Sequence, residues 1–277
     1  MHKIGFIGQG WIGKNYADDF ENRGFAVVRY SLEPEYIENK KKIKDCEFVF
    51  IAVPTPTKQT GFDMSYLHAV LPLVGKGKVA IIKSTIIPGS TKKLAKEFTH
   101  CTVFHSPEFL VEKTAAQNAS HPDRNIIGVP VWDDKHKKIA NEILNILPKA
   151  AYELICTAEE AEIIKYAHNI HGVMQVVFAN TLFDLGTAHK ADWERIKSAI
   201  SADPYMCDKY LNPVHKSGRG AGGDCFVKDF EAFIESYSKS LNDNIGKKVF
   251  EAIRDKNISL LRGSQKDLDK IKAVYGE

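Results

Sequence analysis

The chain has 277 residues, 44% of them hydrophobic, enough for one large or two ordinary domains with a substantial buried core. Lysine and arginine exceed aspartate and glutamate by only three, and the basic residues are scattered, so no nucleic-acid or membrane surface is expected and the partners should be small molecules. No apolar run approaches the roughly 20 residues that span a bilayer, and the opening MHKIGFIGQG reads as a strand and not as a signal peptide, which predicts a cytoplasmic protein.

Six short β-rich runs come first: KIGFIG (3–8), AVVRYS (26–31), FVFIAV (48–53), KVAIIKS (78–84), TVFHS (102–106) and RNIIGV (124–129), each followed by a segment of helical periodicity. That alternation predicts an α/β domain with a parallel sheet and crossover helices. Near TAEEAE, at residue 157, the pattern changes. Residues 158–190 read as one long helix, no convincing strand signal follows, and 242–275 is again helical, with Ile245, Val249, Phe250, Ile253, Ile258, Leu260 and Leu261 supplying an apolar face. The predicted organisation is a Rossmann-type domain over 1–156 and an all-helical region over 157–277.

The first chemical signal is GQGWIG, directly after the first strand and before a helical pattern. Glycines there permit a tight turn and close backbone approach, while the helix N-terminus offers free N–H groups to a pyrophosphate, so Gly8, Gly10, Trp11, Ile12 and Gly13 are candidate dinucleotide-binding residues. The plainer reading is a set of turn glycines. At the end of the second strand, Ser31 stands where an NAD enzyme usually carries an acid for the ribose hydroxyls; Glu33 lies two residues on, and Arg29 precedes it. NAD and NADP both stay open at this point. The turns AVPTPT (52–57) and KSTIIPGS (83–90) follow the third and fourth strands, where doubly wound sheets bind ligands, which makes Val53, Pro54, Thr55, Ser84 and Thr85 candidate walls of a nicotinamide pocket, against the alternative that the prolines merely end strands.

Five cysteines form no CxxC pair and are odd in number, which predicts reduced thiols. His168 and His171 are spaced i and i+3 but lack a further ligand, so no metal is expected. The remaining signal is GRGAGGDCFVKD (218–229), in which Gly218, Gly220, Gly222 and Gly223 lead into Cys225 and a Lys-Asp pair.

Taken in order, GQGWIG, VFIAVPTPT, KSTIIPGST, SPEFLVEKTA with HPDRNIIG, AEIIKYAHN and GRGAGGDCFVKD resemble the UDP-glucose/GDP-mannose dehydrogenases, along residues 3 to about 235. The resemblance implies NAD-dependent, two-step oxidation of a nucleotide-sugar primary alcohol to a carboxylate, for polysaccharide biosynthesis. Cys225 would add to the aldehyde as a thiohemiacetal and pass through a thioester that water cleaves, chemistry suited to a thiolate. Lys165 and Asn169, one turn apart on a helix, match the active-site lysine and asparagine; the lysine would stabilise developing negative charge. Asp229 and Thr85 match residues that position the hydrolytic water. Glu108 and Glu112 match an acidic pair, one of them a base. Phe109, Leu110, Gly220, Gly222, Gly223 and Lys228 match substrate-binding positions, the glycines letting the loop wrap a bulky substrate. The family's helical region is a dimer core, and 158–190 is about 50 Å long as a helix, which predicts a homodimer.

Several features depart from the family pattern. Family members continue into a second α/β domain that holds the substrate's nucleotide, and the expectation here is a short form, completed by another chain or without that grip. Tyr205 stands where the family carries an arginine, Ala221 replaces an aromatic, and Asp224 precedes the cysteine, where its charge disfavours a thiolate unless offset. Two other readings therefore accompany the first: a two-electron β-hydroxyacid dehydrogenase, and a non-catalytic dinucleotide-binding relative.

Overall fold

The computed structural model describes residues 2–276. In chain order the elements are β1 (Lys3–Ile7), α1 (Trp11–Asn22), β2 (Ala26–Tyr30), β3 (Phe48–Ile51), the two-residue strands β4 (Thr57–Lys58) and β5 (Gly61–Phe62), α2 (Ser65–Val70), β6 (Val79–Ile82), α3 (Ser90–Glu97), β7 (Thr102–His105), α4 (Ala115–Ser120), β8 (Arg124–Val129), α5 (Asp134–Ile146) and β9 (Tyr152–Thr157). There follow α6 (Ala158–Ala188), α7 (Trp193–Ser201), the short pair β10 (Val214–His215) and β11 (Gly218–Arg219), α8 (Gly223–Ser240), α9 (Asn244–Gly263) and α10 (Leu268–Tyr275). Two compact units result: residues 1–56 with 63–165, and residues 57–62 with 166–277.

The first unit is built on a seven-stranded sheet of order β2-β1-β3-β6-β7-β8-β9. Its central strands are apolar on both faces, as a sheet covered on both sides requires: Phe48–Ile51 and Val79–Ile82 are buried at every position. Phe6 stacks on Phe50 with centroids 5.1 Å apart, and Phe20 of α1 meets both rings at 5.3 Å, which seats the first helix on the sheet. The expected α/β class is found, with two differences. Tyr152–Thr157 is a seventh strand, hidden from the sequence pattern because YELICT lies at the sheet edge, with exposed or half-buried residues over most of its length. The sheet is mixed: β8 pairs antiparallel with β7 through His105 and Gly128, while β9 runs parallel to β8.

Register decides where the chemistry collects. Ile7 pairs with Tyr30 and Ile51, Ile51 with Ile82, and Ile82 with His105, so five parallel strands end at one level. The turns beyond that level carry 8–13, Ser31, 52–56, 83–89 and 106–110. Strand order reverses about β1, the place where open α/β sheets bind ligands.

The second unit is helical, apart from its two small hairpins. Val227, Leu261, Ile271 and Val274 form a buried cluster that joins α8, α9 and α10. Phe233 and Phe250 meet edge to face at 4.8 Å, locking α8 to α9. Gly172 on α6 admits the ring of Phe226, since a Cβ at that glycine would lie 2.8 Å from the Phe226 Cζ.

Candidate active site

In the first unit, the β1–α1 turn is shaped by contacts that only glycine allows. A Cβ on Gly13 would lie 1.9 Å from the Gly8 carbonyl oxygen, so helix and strand meet more closely than a side chain permits. Gly10 caps α1 without a side chain, and nothing lies within 4 Å of the position its Cβ would take. The first-turn amides of Trp11, Ile12 and Gly13 have no intrahelical acceptor, and the positive end of the helix dipole adds to them. This open, donor-rich turn fits the pyrophosphate of a nicotinamide dinucleotide.

At the end of β2 the Ser31 hydroxyl accepts from the Glu33 amide at 3.2 Å and lies 3.4 Å from the Glu33 carboxylate. Arg29 points elsewhere: its guanidinium pairs with Asp18 at 2.7 Å and Glu21 at 2.6 Å on α1. The next two turns are stapled together. Ser84 Oγ donates to the Val53 carbonyl at 2.6 Å and Thr55 Oγ1 to the Thr85 carbonyl at 2.7 Å, while Pro54 is exposed.

Lys165 and Glu108 are brought together. Lys165 Nζ donates to the Glu108 carbonyl at 2.8 Å and lies 3.7 Å from its Oε1, while Glu108 Oε2 accepts from the Leu110 amide at 2.7 Å. Both side chains are buried. Phe109 is half-buried, its ring beneath the Arg124 guanidinium at 3.7 Å. Glu112, by contrast, sits exposed on a separate turn, so the two carboxylates of the sequence pattern have different surroundings.

Two further buried charges escaped the sequence pattern. Lys83, which ends the apolar run of β6 and so passes for a strand terminus, is buried with Nζ 3.2 Å from Ser106 Oγ and 4.3 Å from the centre of the Tyr16 ring. Burial lowers its ammonium to about 8; Glu108 opposes that shift and Lys165 adds to it. Glu162, one turn before Lys165, accepts from the Gly89 amide at 2.6 Å and from the Thr91 amide and hydroxyl at 2.8 and 2.6 Å. It caps α3 and fixes the rotation of α6 at the turn that presents Lys165.

In the second unit, α8 begins at Gly223, placing Cys225 in its first turn and Asp229 one turn on. Asp229 is fully buried and both its oxygens are used: Oδ2 accepts from Asn169 Nδ2 at 2.6 Å, and Oδ1 from Lys228 Nζ at 2.5 Å. Burial alone would lower the Lys228 ammonium; the charges of Asp229 and Cys225 reverse this and raise it. The Lys228 carbonyl accepts from Thr57 Oγ1 at 2.9 Å, tying the β4–β5 hairpin to α8. Cys46, Cys101 and Cys156 are buried in the first unit, and burial pushes their thiols up to about 11, 11 and 12. Cys225 is half-buried in the first turn of α8.

Among the described residues, no group of three or more His, Cys, Asp or Glu side chains is placed to hold a metal ion, and no helix is long and apolar enough to cross a membrane.

A Rossmann sheet with an open glycine turn, followed by helices carrying Lys165, Asn169, Cys225 and Asp229, describes a nicotinamide-dinucleotide dehydrogenase class. The family models for the NAD binding domain and the central domain of the UDP-glucose/GDP-mannose dehydrogenase family match residues 35–147 and 159–259, and the chain belongs to that family. A UDP-glucose 6-dehydrogenase of Rickettsia bellii is 32% identical over 224 residues, covering 77% of this chain and 49% of its own length. The chain spans about half the length of the curated relatives it matches. Among solved structures, a UDP-glucose dehydrogenase from the archaeon Pyrobaculum islandicum has a TM-score of 0.80 at 24% identity, over 95% of this chain and 69% of that one. A 3-hydroxyisobutyrate dehydrogenase of Mycobacterium tuberculosis has a TM-score of 0.73 at 15% identity, covering 100% of this chain and 99% of that one. At these identities the two structures speak for the fold alone.

Proposed function

We propose that the chain oxidises the primary alcohol of a nucleotide sugar to the carboxylate, with Cys225 as the covalent group. The observation that carries this reading is the buried Asp229 carboxylate, divided between Asn169 and Lys228 one turn after Cys225. An ordinary core has no need of that arrangement, because burying a carboxylate is costly without full hydrogen bonding.

When bound, a nicotinamide would accept one electron pair as hydride, so the two oxidations would use two cofactor molecules in turn. Gly8, Gly10 and the amides of Trp11, Ile12 and Gly13 would hold its pyrophosphate, and 53–55 with 84–85 would line the ring. Glu33 held beside Ser31, with Arg29 turned to α1, favours NAD over NADP, since a carboxylate repels a 2′-phosphate. Lys165, desolvated and held by the Glu108 carbonyl, would stabilise the oxyanion that develops on the substrate. The Cys225 sulfur would form a C–S bond to the aldehyde carbon as the carbonyl π bond opens, its oxygen taking the thiol proton to give a thiohemiacetal. Loss of the second electron pair would leave a thioester, and water would then break the C–S bond, returning the thiol and releasing the acid. Asp229 and Thr85 would orient that water, with Glu108 as the base and Glu112 as a binding group. Phe109, Leu110, Lys228 and the loop at Gly220, Gly222 and Gly223 would contact the sugar nucleotide.

The helical region would pair with a second copy. Ile163, Met174, Phe178 and Leu185 lie exposed along one side of α6, at spacings that recur on a single helix face.

A second reading, a two-electron β-hydroxyacid dehydrogenase, is favoured by the end-to-end architectural match to the mycobacterial enzyme. It leaves Cys225 without a task. Counting reduced cofactor per substrate separates the two: two per sugar, with Cys225→Ser forming no acid, is expected. One per substrate, or a Ser variant with unchanged turnover, would sink the thioester route.

A further inference from the structure

The loop that carries Cys225 does not hold itself. Six backbone groups between Gly218 and Gly223 are bound by side chains of α9 and the turn beyond it. Asn257 clamps Ala221 on both sides, accepting from its amide at 2.7 Å and donating to its carbonyl at 2.9 Å. Ser264 Oγ accepts from the Arg219 amide at 2.9 Å. Lys266, 5% exposed, reaches back to donate to the Gly220 carbonyl at 2.9 Å and the Gly218 carbonyl at 3.4 Å. Asp267 Oδ2 accepts from the Gly223 amide at 2.8 Å, two residues before Cys225.

The glycines answer to these contacts. A Cβ on Gly222 would lie 1.9 Å from the Asp267 carboxylate, and one on Gly218 would lie 2.5 Å from Ser264 Oγ. Room for a substrate is therefore not what demands glycine at those two positions; the approach of the chain's own turn does. Asp267 makes its contact from a left-handed backbone, φ 50°, and the turn is held down by Ile271 and Val274 of α10, which pack on Val227, two residues after Cys225. The same helix supplies Lys270, whose ammonium lies 2.6 Å from Asp224 and offsets the charge beside the thiol.

We propose that Lys266 and Asp267 are positioning residues for Cys225: they fix the backbone from Gly218 to Gly223 and thereby the first turn of α8. The proposal deepens the reading of Cys225 as the nucleophile and rests on it for its purpose, whereas its geometry is tested without turnover. The turn from Ser264 to Asp267 acts as a strap whose hydrogen bonds replace the side-chain cap that Gly222 cannot give to α8.

The test is hydrogen–deuterium exchange on the whole chain, read on peptides within 214–227, together with the rate at which iodoacetamide alkylates Cys225, followed by mass. Asp267→Gly keeps the left-handed backbone and removes the acceptor; Asp267→Asn keeps an acceptor and removes the charge; Lys266→Met removes the donor at similar volume. Loop protection is expected to fall about tenfold in Asp267→Gly and Lys266→Met, with β1 and β3 peptides unchanged. Cys225 alkylation in Asp267→Gly should rise roughly three- to tenfold, and Asp267→Asn should stay within about twofold of wild type in both readouts. Unchanged loop protection in Asp267→Gly overturns the proposal. So does an Asn variant that behaves like the Gly variant, which would make charge rather than position the operative feature, or loss of protection throughout the chain. A loosened loop in a protein that oxidises no sugar would overturn the proposed function and leave the positioning role standing; an unaltered loop in an active enzyme would do the reverse.

Discussion

Asn169 donates from Nδ2 to Oδ2 of Asp229 across 2.6 Å, joining α6, which carries Lys165 one turn earlier, to α8, which holds Cys225 in its first turn. The carboxylate at the centre of this contact is fully buried, and its other oxygen is held by Lys228. The arrangement is costly to disturb because the charge has nowhere else to find a partner.

Asn169→Ala should lower unfolding free energy by about 1–3 kcal/mol, the cost of an unsatisfied buried acceptor. Asn169→Asp places two carboxylates in contact, raising one pKa, so the folded state then keeps a proton that the unfolded state loses. Its deficit should grow as pH rises above about 4, and urea melts at pH 5 and pH 8 will read it. Equal deficits at both pH values would show that the second carboxylate finds another partner.

Lys83 carries a pH signature of the opposite sign. Burial lowers its folded pKa from 10.5 to about 8, so between those values the unfolded chain binds more protons and wild-type stability rises with pH. Lys83→Met should be more stable than wild type at pH 7, by at most on the order of 3 kcal/mol, and the gap should close between pH 8 and 10.5. A difference that does not vary with pH would mean that the Lys83 ammonium keeps its ordinary pKa in the fold.

The Glu33 carboxylate beside Ser31 sets the expected cofactor preference. Glu33→Gln should lower the ratio of kcat/KM for NAD over NADP about tenfold, mainly by admitting the 2′-phosphate. Steady-state rates with both cofactors measure this, and an unchanged ratio would remove Glu33 from the ribose site.

Phe178 lies 43% exposed on α6, within the apolar stripe. Phe178→Lys should convert a dimer to a monomer in light scattering, because one buried lysine per copy would have to be desolvated at the pairing face. Wild type that is already monomeric at micromolar concentration would exclude this face as the dimer core.

Much of this molecule could be read from residue order. Alternating apolar runs locate six of the seven strands of the large sheet, the glycine turn after the first marks a candidate dinucleotide turn, and the long helix from Ala158 appears as an unbroken pattern. Tyr152–Thr157 was not legible, because an edge strand half open to solvent lacks the apolar run by which the others are recognised. Lys83 was not legible either: a lysine after VAII looks like the polar end of a strand, and only the closing of Tyr16 and Ser106 around it shows a buried cation.

The glycine-cysteine loop shows the division most clearly. Local sequence alone was enough to single out Cys225, since a thiol among four glycines and a Lys-Asp pair is a local pattern. Why Gly218 and Gly222 must be glycine was decided only by the tertiary fold, because the atoms that exclude a side chain belong to Ser264 and Asp267, more than forty residues away. Periodicity and motif are properties of neighbours along the chain, so sequence reports them directly. Close approach between distant segments is a property of packing, and it exists only once α9 has turned back and α10 has settled onto α8.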